Sequence, residues 1–291
     1  KSLKRDSRSA QTIRDEALKI ANQADVIVAA LGESAEMNGE SSSRTDIGIP
    51  KVQQQLLKEL LKTGKPVVLL LFTGRPLTLN WEQKNVPAIL NVWFAGSEAG
   101  HAIADALFGD VNPSGKLTMT FPQNLGQVPI FYAHKNTGRP MREQDGVGFS
   151  KFRSNYLDVS NEPLYPFGFG LSYSTFDYSD VDVNNNSLKG NQTLKAGITV
   201  TNTGKYDGAE VVQLYIRDVV GTVTRPVKEL KGFQKIWLKA GESKKVTFNI
   251  TPEDLKFYNS QLQHVWEPGE FEIMIGGNSR DVKKIKVNWV K

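Results

Sequence analysis

The stretch ADVIVAALGESAEMNGESSSRTD, residues 24–46, begins as an apolar run and ends as a loop with almost nothing that could pack in a core. The run ADVIVAALG has the length of a strand and reads as one buried on both faces, the pattern of a parallel sheet. The loop carries Glu33, Glu36, Glu40 and Arg44. Upstream, RSAQTIRDEALKIANQ (8–23) sets Ile13, Ala17, Ile20 and Ala21 at helical spacing. Downstream, IPKVQQQLLKELLKTG (49–64) repeats that period, with Pro50 near its first turn and Gly64 as its stop. KPVVLLLFTG (65–74) and VPAILNVWF (86–94) read as two further strands, and GSEAGHAIADALFG (96–109) as a third helix with Ser97 as N-cap and Gly109 at its end. GKLTMTFP (115–122) reads as a short, alternating strand.

Strands alternating with helices predict a layered α/β sandwich with a mostly parallel sheet over residues 1–122. Ligands bind such sheets beyond the carboxyl ends of the strands. The loops EMNGESSSR, FTGRP and WFAGSE all leave that edge. Residues 123–171 lack a period but hold Phe131, Tyr132, Phe149, Phe152 and Tyr156, too many aromatics for a free linker. They are expected to pack on a domain surface. From 172 to 291 short alternating runs separated by turn signals predict an all-β sandwich, of fibronectin type III-like kind because no cysteine pair is present.

Composition narrows the function classes. The chain has 291 residues, no cysteine, three histidines and a net charge of +5. Disulfides, thiolate metal sites and cysteine nucleophiles are excluded. The lysines and arginines are scattered, with loose clusters at 244–245 and 283–286 and no basic helix, so the charge reads as solvated surface and not as a nucleic-acid footprint. No apolar run approaches the ~18 residues of a membrane helix. KSLKRDSRSAQ has no apolar signal core, and a first residue of Lys makes this end look cut or processed. Three scattered histidines support no zinc site, GESSSR lacks the spaced glycines and Lys of a phosphate loop, and no Ser sits in a nucleophile elbow.

Five segments carry a resemblance: LGESAEMNGESSSRTDIGIP (31–50), GKPVVLLLFTGRPL (64–77), WFAGSEAGHAIADALFGDVNPSGKLTMTFP (93–122), VPIFYAHKNTGRP (128–140) and LYPFGFGLSYSTF (164–176). Together they resemble glycoside hydrolase family 3, of the bacterial periplasmic β-glucosidase type. The resemblance implies three parts: a (β/α)8 barrel, an α/β sandwich and a fibronectin type III-like domain. This chain is similar to the second and third. The implied activity is hydrolysis of terminal β-linked glucose with retention, in the periplasm or outside the cell, without a cofactor. Implied partners are a β-glucoside or oligosaccharide and the barrel, which would supply the nucleophilic Asp; a homodimer is a further possibility. Neither nucleic acid nor membrane is an expected partner.

A retaining glycosidase needs two carboxyl groups, one nucleophile and one acid/base. The resemblance places the acid/base in NGESSSR, hence Glu40 first, with Glu33 as the alternative and Glu36 third. Arg44 would hold a carboxylate or a sugar hydroxyl. Trp93 and Phe94 could stack on a sugar, though a Trp at a strand end is more often core. His134 would bind a hydroxyl or meet the barrel, Arg139 would pin its loop through a carboxylate, and His101 would be structural. The competing reading is that all three acids are solvated loop charges and that the chain is a non-catalytic carbohydrate- or partner-binding module.

Overall fold

The computed structural model describes residues 6–141 and 149–291, in two compact units. The first comprises residues 1–103 and 122–126, the second 104–121 and 127–291. Phe149 begins the second described stretch; the MREQDGV part of the aromatic segment lies mostly outside the described residues.

The first unit is built on a three-stranded parallel sheet. Helix α1 (Ala10–Gln23) starts at Ser9, whose hydroxyl accepts from the Thr12 amide at 3.0 Å. Strand β1 (Ile27–Gly32) follows, then helix α2 (Lys51–Lys62), strand β2 (Val67–Phe72), helix α3 (Asn80–Asn85) and strand β3 (Ala88–Asn91). The order is β1-β2-β3, with Ile27 opposite Val67 and Val68 opposite Ala88. The central β2 contributes Val67, Leu69, Leu70 and Leu71 to a core closed by Leu57, Leu60, Leu77 and Leu79. Gly64, at φ 74°, ends the α2 region as its C′ residue.

Two expectations are corrected here, and one helix is added. β1 is not buried on both faces: Ile27 and Ala29 are buried, but Val28, on the opposite face, is half exposed, as is Val26 just before the strand. In α1 only Ala21 is buried, and Ile13 and Ile20 remain exposed. Helix α3 was not anticipated; its six residues carry the buried Glu82, which accepts a 2.8 Å bond from Gln54.

Helix α4 (Ala99–Phe108) crosses the division between the units and starts two residues beyond Ser97, which therefore is not its cap. Gly109 ends it at φ 86°. His101 on α4 is exposed and 4.0 Å from Glu98, a surface residue and not a structural one. No helix among the described residues is long and apolar enough to cross a membrane.

The second unit is a β-sandwich with a covering segment. One sheet joins β4 (Phe176–Tyr178), β5 (Asp182–Val183), β7 (Leu194–Asn202) and β10 (Ser243–Ile250). The other has the order β6-β14-β13-β8-β9, built from β6 (Ser187–Lys189), β8 (Gly208–Asp218), β9 (Glu229–Leu238), β13 (Gly269–Gly276) and β14 (Val282–Val290). A one-turn helix α5 (Pro252–Leu255) and the hairpin of β11 (Phe257–Tyr258) and β12 (His264–Val265) complete it. Alternation decides the inside: Leu194, Ala196, Ile198 and Val200 of β7 face Val212, Leu214, Ile216, Ile273 and Ile275, with Trp289 fully buried.

The aromatic segment covers the other face of β8. Tyr132 packs on Phe167 at 4.5 Å and edge-on against Tyr215 at 5.6 Å. Gln213 donates to the Gly168 carbonyl at 3.1 Å. Residues 115–122 do not form the expected strand. Leu117 and Phe121 instead exchange backbone bonds with Gly168, Phe169 and Tyr165 in an isolated extended pairing. Their partner is the aromatic segment, which satisfies amides that a sheet would otherwise have taken. Arg139 lies over the Phe152 ring at 5.5 Å, a cation–π contact; Glu143 and Asp145, the nearest acids in sequence, lie outside the described residues.

Candidate functional site

The loops at the carboxyl edge of β1 and β2 are joined by one buried carboxylate. Gly32 ends β1 at φ 136°, and a Cβ there would lie 1.9 Å from the Phe72 carbonyl oxygen, so only glycine fits. Gln53 of α2 closes the strand end, accepting from the Gly32 amide at 2.7 Å and donating to its carbonyl at 2.9 Å. The Glu33 amide then bonds the Phe72 carbonyl at 2.8 Å. This bond carries the β1–β2 ladder one residue further, and the Glu33 side chain is fully buried.

Two arginines meet it there. Arg44 Nη1 lies 2.5 Å from Glu33 Oε1 and donates through Nη2 to the Gly48 carbonyl at 3.2 Å. Arg75 Nε lies 3.2 Å from Oε1 and 3.3 Å from Oε2. The buried Thr73 hydroxyl sits 2.9 Å from Oε2. Burial alone would push the Glu33 carboxyl up, but bonds from Arg44, Thr73 and Asn38, with the Arg75 charge, hold it below its ordinary range. A carboxyl stabilised as the anion is badly suited to donate a proton near neutral pH. Glu36 is exposed and likewise held low, by its own backbone amide and the Ser34 hydroxyl.

Glu40 has a different setting. It occupies the tip of a turn in which the Ser42 amide bonds the Gly39 carbonyl at 3.3 Å, with Gly39 at φ 106° and Ser41 at φ 60°. Its side chain is exposed, without a hydrogen bond or ion pair to another described residue. Of the three loop acids it alone is both solvent-facing and uncommitted.

The structure therefore brings Glu33, Arg44 and the Glu40 loop together, and adds Arg75, Thr73 and Asn38, which the sequence did not single out. A recurrent cue for Arg75 was its place in FTGRP, at the same sheet edge. Trp93 follows β3 at φ 51° and is half buried, while Phe94 is half exposed. Beside them, the Asn91 side-chain amide is buried with no hydrogen-bond partner among the described residues. His134 lies in the other unit, on a cavity of about 340 Å³ shared with Tyr132, Glu162, Lys228 and Arg280. Burial pushes the Lys228 ammonium down there, and Lys228 donates to the Ser279 carbonyl. Among the described residues no three His, Asp or Glu side chains are grouped to hold a metal ion.

Residues 3–173 match the glycosyl hydrolase family 3 C-terminal domain and residues 210–279 the fibronectin type III-like domain. A periplasmic β-glucosidase of Salmonella typhimurium is 51% identical over 97% of this chain, and a β-xylosidase of Formosa agariphila 43% identical over 94%; in each the match takes in 36% of the relative. A crystal structure of the Listeria innocua β-glucosidase in complex with glucose superimposes with a TM-score of 0.91 at 42% identity, covering 98% of this chain and 39% of that one. The chain thus spans a little over a third of the length of these relatives, and it belongs to glycosyl hydrolase family 3, carrying that family's C-terminal α/β domain followed by a fibronectin type III-like domain.

Proposed function

We propose that this chain is the C-terminal part of a retaining, exo-acting β-glucosidase and that Glu40 is its general acid/base. The observation that carries the assignment is the contrast within one loop. Glu33 is buried between two arginines and held ionised, whereas Glu40 stands at the turn tip with its carboxyl uncommitted. A second part of the enzyme, a barrel preceding these domains, supplies the nucleophilic Asp. In the first step that Asp attacks the anomeric carbon while Glu40 gives its proton to the glycosidic oxygen, and the aglycone leaves as an alcohol. In the second step Glu40 takes a proton from water, whose oxygen displaces the Asp carboxylate and frees the sugar. Arg44 acts beneath the loop as partner of Glu33, and not on the sugar. Trp93, after β3, is a candidate for sugar contact at the same sheet edge, whereas His134 lines the cavity of the other unit.

The names of the Salmonella and Listeria relatives support glucose as the sugar, and that of the Salmonella relative supports the periplasm as the place. The β-xylosidase relative makes a xyloside the control substrate. The test is a chimera that places the N-terminal portion of the Salmonella enzyme ahead of this chain. It should hydrolyse aryl β-glucosides faster than β-xylosides. Glu40→Gln should reduce kcat/KM on a poorly activated glucoside by about 10²–10⁴-fold, with far less effect on a dinitrophenyl glucoside, whose leaving group needs no proton. Equal losses on both substrates would remove Glu40 from the role.

A further inference from the structure

Arg75 touches no part of the loop tip, yet its guanidinium binds the loop on both sides of Glu40. Nη2 donates to the Met37 carbonyl and, at 2.9 Å, to the Ser42 carbonyl. The first acceptor lies three residues before Glu40 and the second two after it. Nε and Nη2 also lie 3.4 and 3.3 Å from Asn38 Oδ1, and Nε reaches Glu33. Arg75 is itself fixed at the end of β2: its amide donates to Thr73 Oγ1 at 3.2 Å, and the Thr73 hydroxyl is 2.7 Å from its carbonyl. Gly74 lets the two loops approach closely, since a Cβ there would lie 2.5 Å from Asn38 Oδ1.

We propose that Arg75 is a positioning residue for the acid/base: it clamps the two ends of the Glu40 turn to the end of β2, with Glu33 as its buried counter-ion. The inference rests on the assignment of Glu40 made above. An exposed turn with glycine at one end and a left-handed serine inside it has little of its own to fix its direction. Closing its ends on Nη2 of a rigid guanidinium, whose Nε is held on Glu33, removes that freedom before substrate arrives. A lysine could balance Glu33 but could not hold Glu33 and both carbonyls together, because its donors share one nitrogen, whereas Arg75 uses Nε for Glu33 and Nη2 for the carbonyls. Charge balance and clamping are therefore separable by substitution.

The experiment compares wild type, Arg75→Lys, Arg75→Ala and Glu40→Gln. Hydrogen exchange on the 291-residue chain reads the loop itself. Both Arg75 variants should speed exchange of the Asn38 and Ser42 amides, which donate to the Ala35 and Gly39 carbonyls, by about tenfold or more, the scale of a lost charge-assisted bond. In Arg75→Lys the amides of β1 and β2 should stay as in wild type. In the Salmonella chimera, Arg75→Lys should cut kcat/KM on an alkyl glucoside by about 10–100-fold, the cost of a small misplacement, and on a dinitrophenyl glucoside by less than about threefold. Loop exchange in Arg75→Lys equal to wild type would overturn the clamp. So would equal losses on the two substrates, since an unspecific loss of folding moves both alike. Glu40→Gln separates the two ideas. If it lacks a leaving-group dependence, the acid/base reading fails, while the exchange data still judge the clamp.

Discussion

Replacing Glu33 by Gln keeps the shape of the side chain and removes its charge, and the structure sets the size of the effect. Glu33 is fully buried, while Arg44 and Arg75 are about one-fifth exposed, at 21% and 23%. A buried carboxylate that loses its charge forfeits two charge-assisted bonds, each contributing about 1.5–3 kcal/mol. Water reaching the outer sides of the two guanidinium groups offsets part of that. The amide oxygen keeps one acceptor. The expected net cost is about 3 kcal/mol, near the lower end of what breaking a buried pair costs. The sign of the pH dependence follows. The folded-state carboxyl sits below its ordinary value of 4.5, so its stabilisation is complete above that value and is lost as pH falls through the depressed one. Hydrogen exchange of the β1 and β2 amides reads this unit without interference from the other. At pH 7, Glu33→Gln should speed their exchange by about 100-fold, tenfold per 1.4 kcal/mol. The two proteins should begin to converge as pH falls below 4.5 and meet only below the depressed folded-state value, after correction for the intrinsic exchange rate. A difference that stays constant across the acid range, or no difference at pH 7, would refute an ionised, stabilising Glu33.

Two further substitutions probe the frame beneath the site. Gly32→Ala would place a methyl 1.9 Å from the Phe72 carbonyl at a φ of 136°, so it should cost about 3 kcal/mol or more and appear as early melting of the first unit in a thermal scan. Asn91→Leu should move the other way, raising that unit's stability by about 1 kcal/mol, because the buried Asn91 amide has no described partner to lose; urea unfolding followed by exchange at β3 measures it.

Periodicity was enough for the elements that bury one continuous face. Helix α2 shows this through Leu57 and Leu60, β2 through its unbroken aliphatic run, and β7 through strict alternation. It failed where the outcome depends on what lies alongside. Val28 looks as apolar as Ile27, but the two point to opposite faces of β1 and only the face of Ile27 is covered. Leu117 and Phe121 carry a strand pattern, but their partners are the distant Tyr165 and Phe169. The candidate site divides in the same way. The three acids of the first loop are visible as a cluster of charge. Their different environments are not, because the partners that hold Glu33 include the distant Thr73 and Arg75. Arg75 lies 42 residues beyond Glu33, and no local spacing joins them.

The assignment of Glu40 is tested most directly by trapping the intermediate it would resolve. The chimera carrying Glu40→Ala is given a dinitrophenyl β-glucoside with and without azide. An enzyme lacking only its acid/base still forms the glycosyl-enzyme but cannot activate water. Azide needs no deprotonation, and its attack on the anomeric carbon displaces the Asp carboxylate. Faster turnover in azide, with β-glucosyl azide as product, is the predicted result. Glucose as the sole product, at a rate azide does not change, would contradict it.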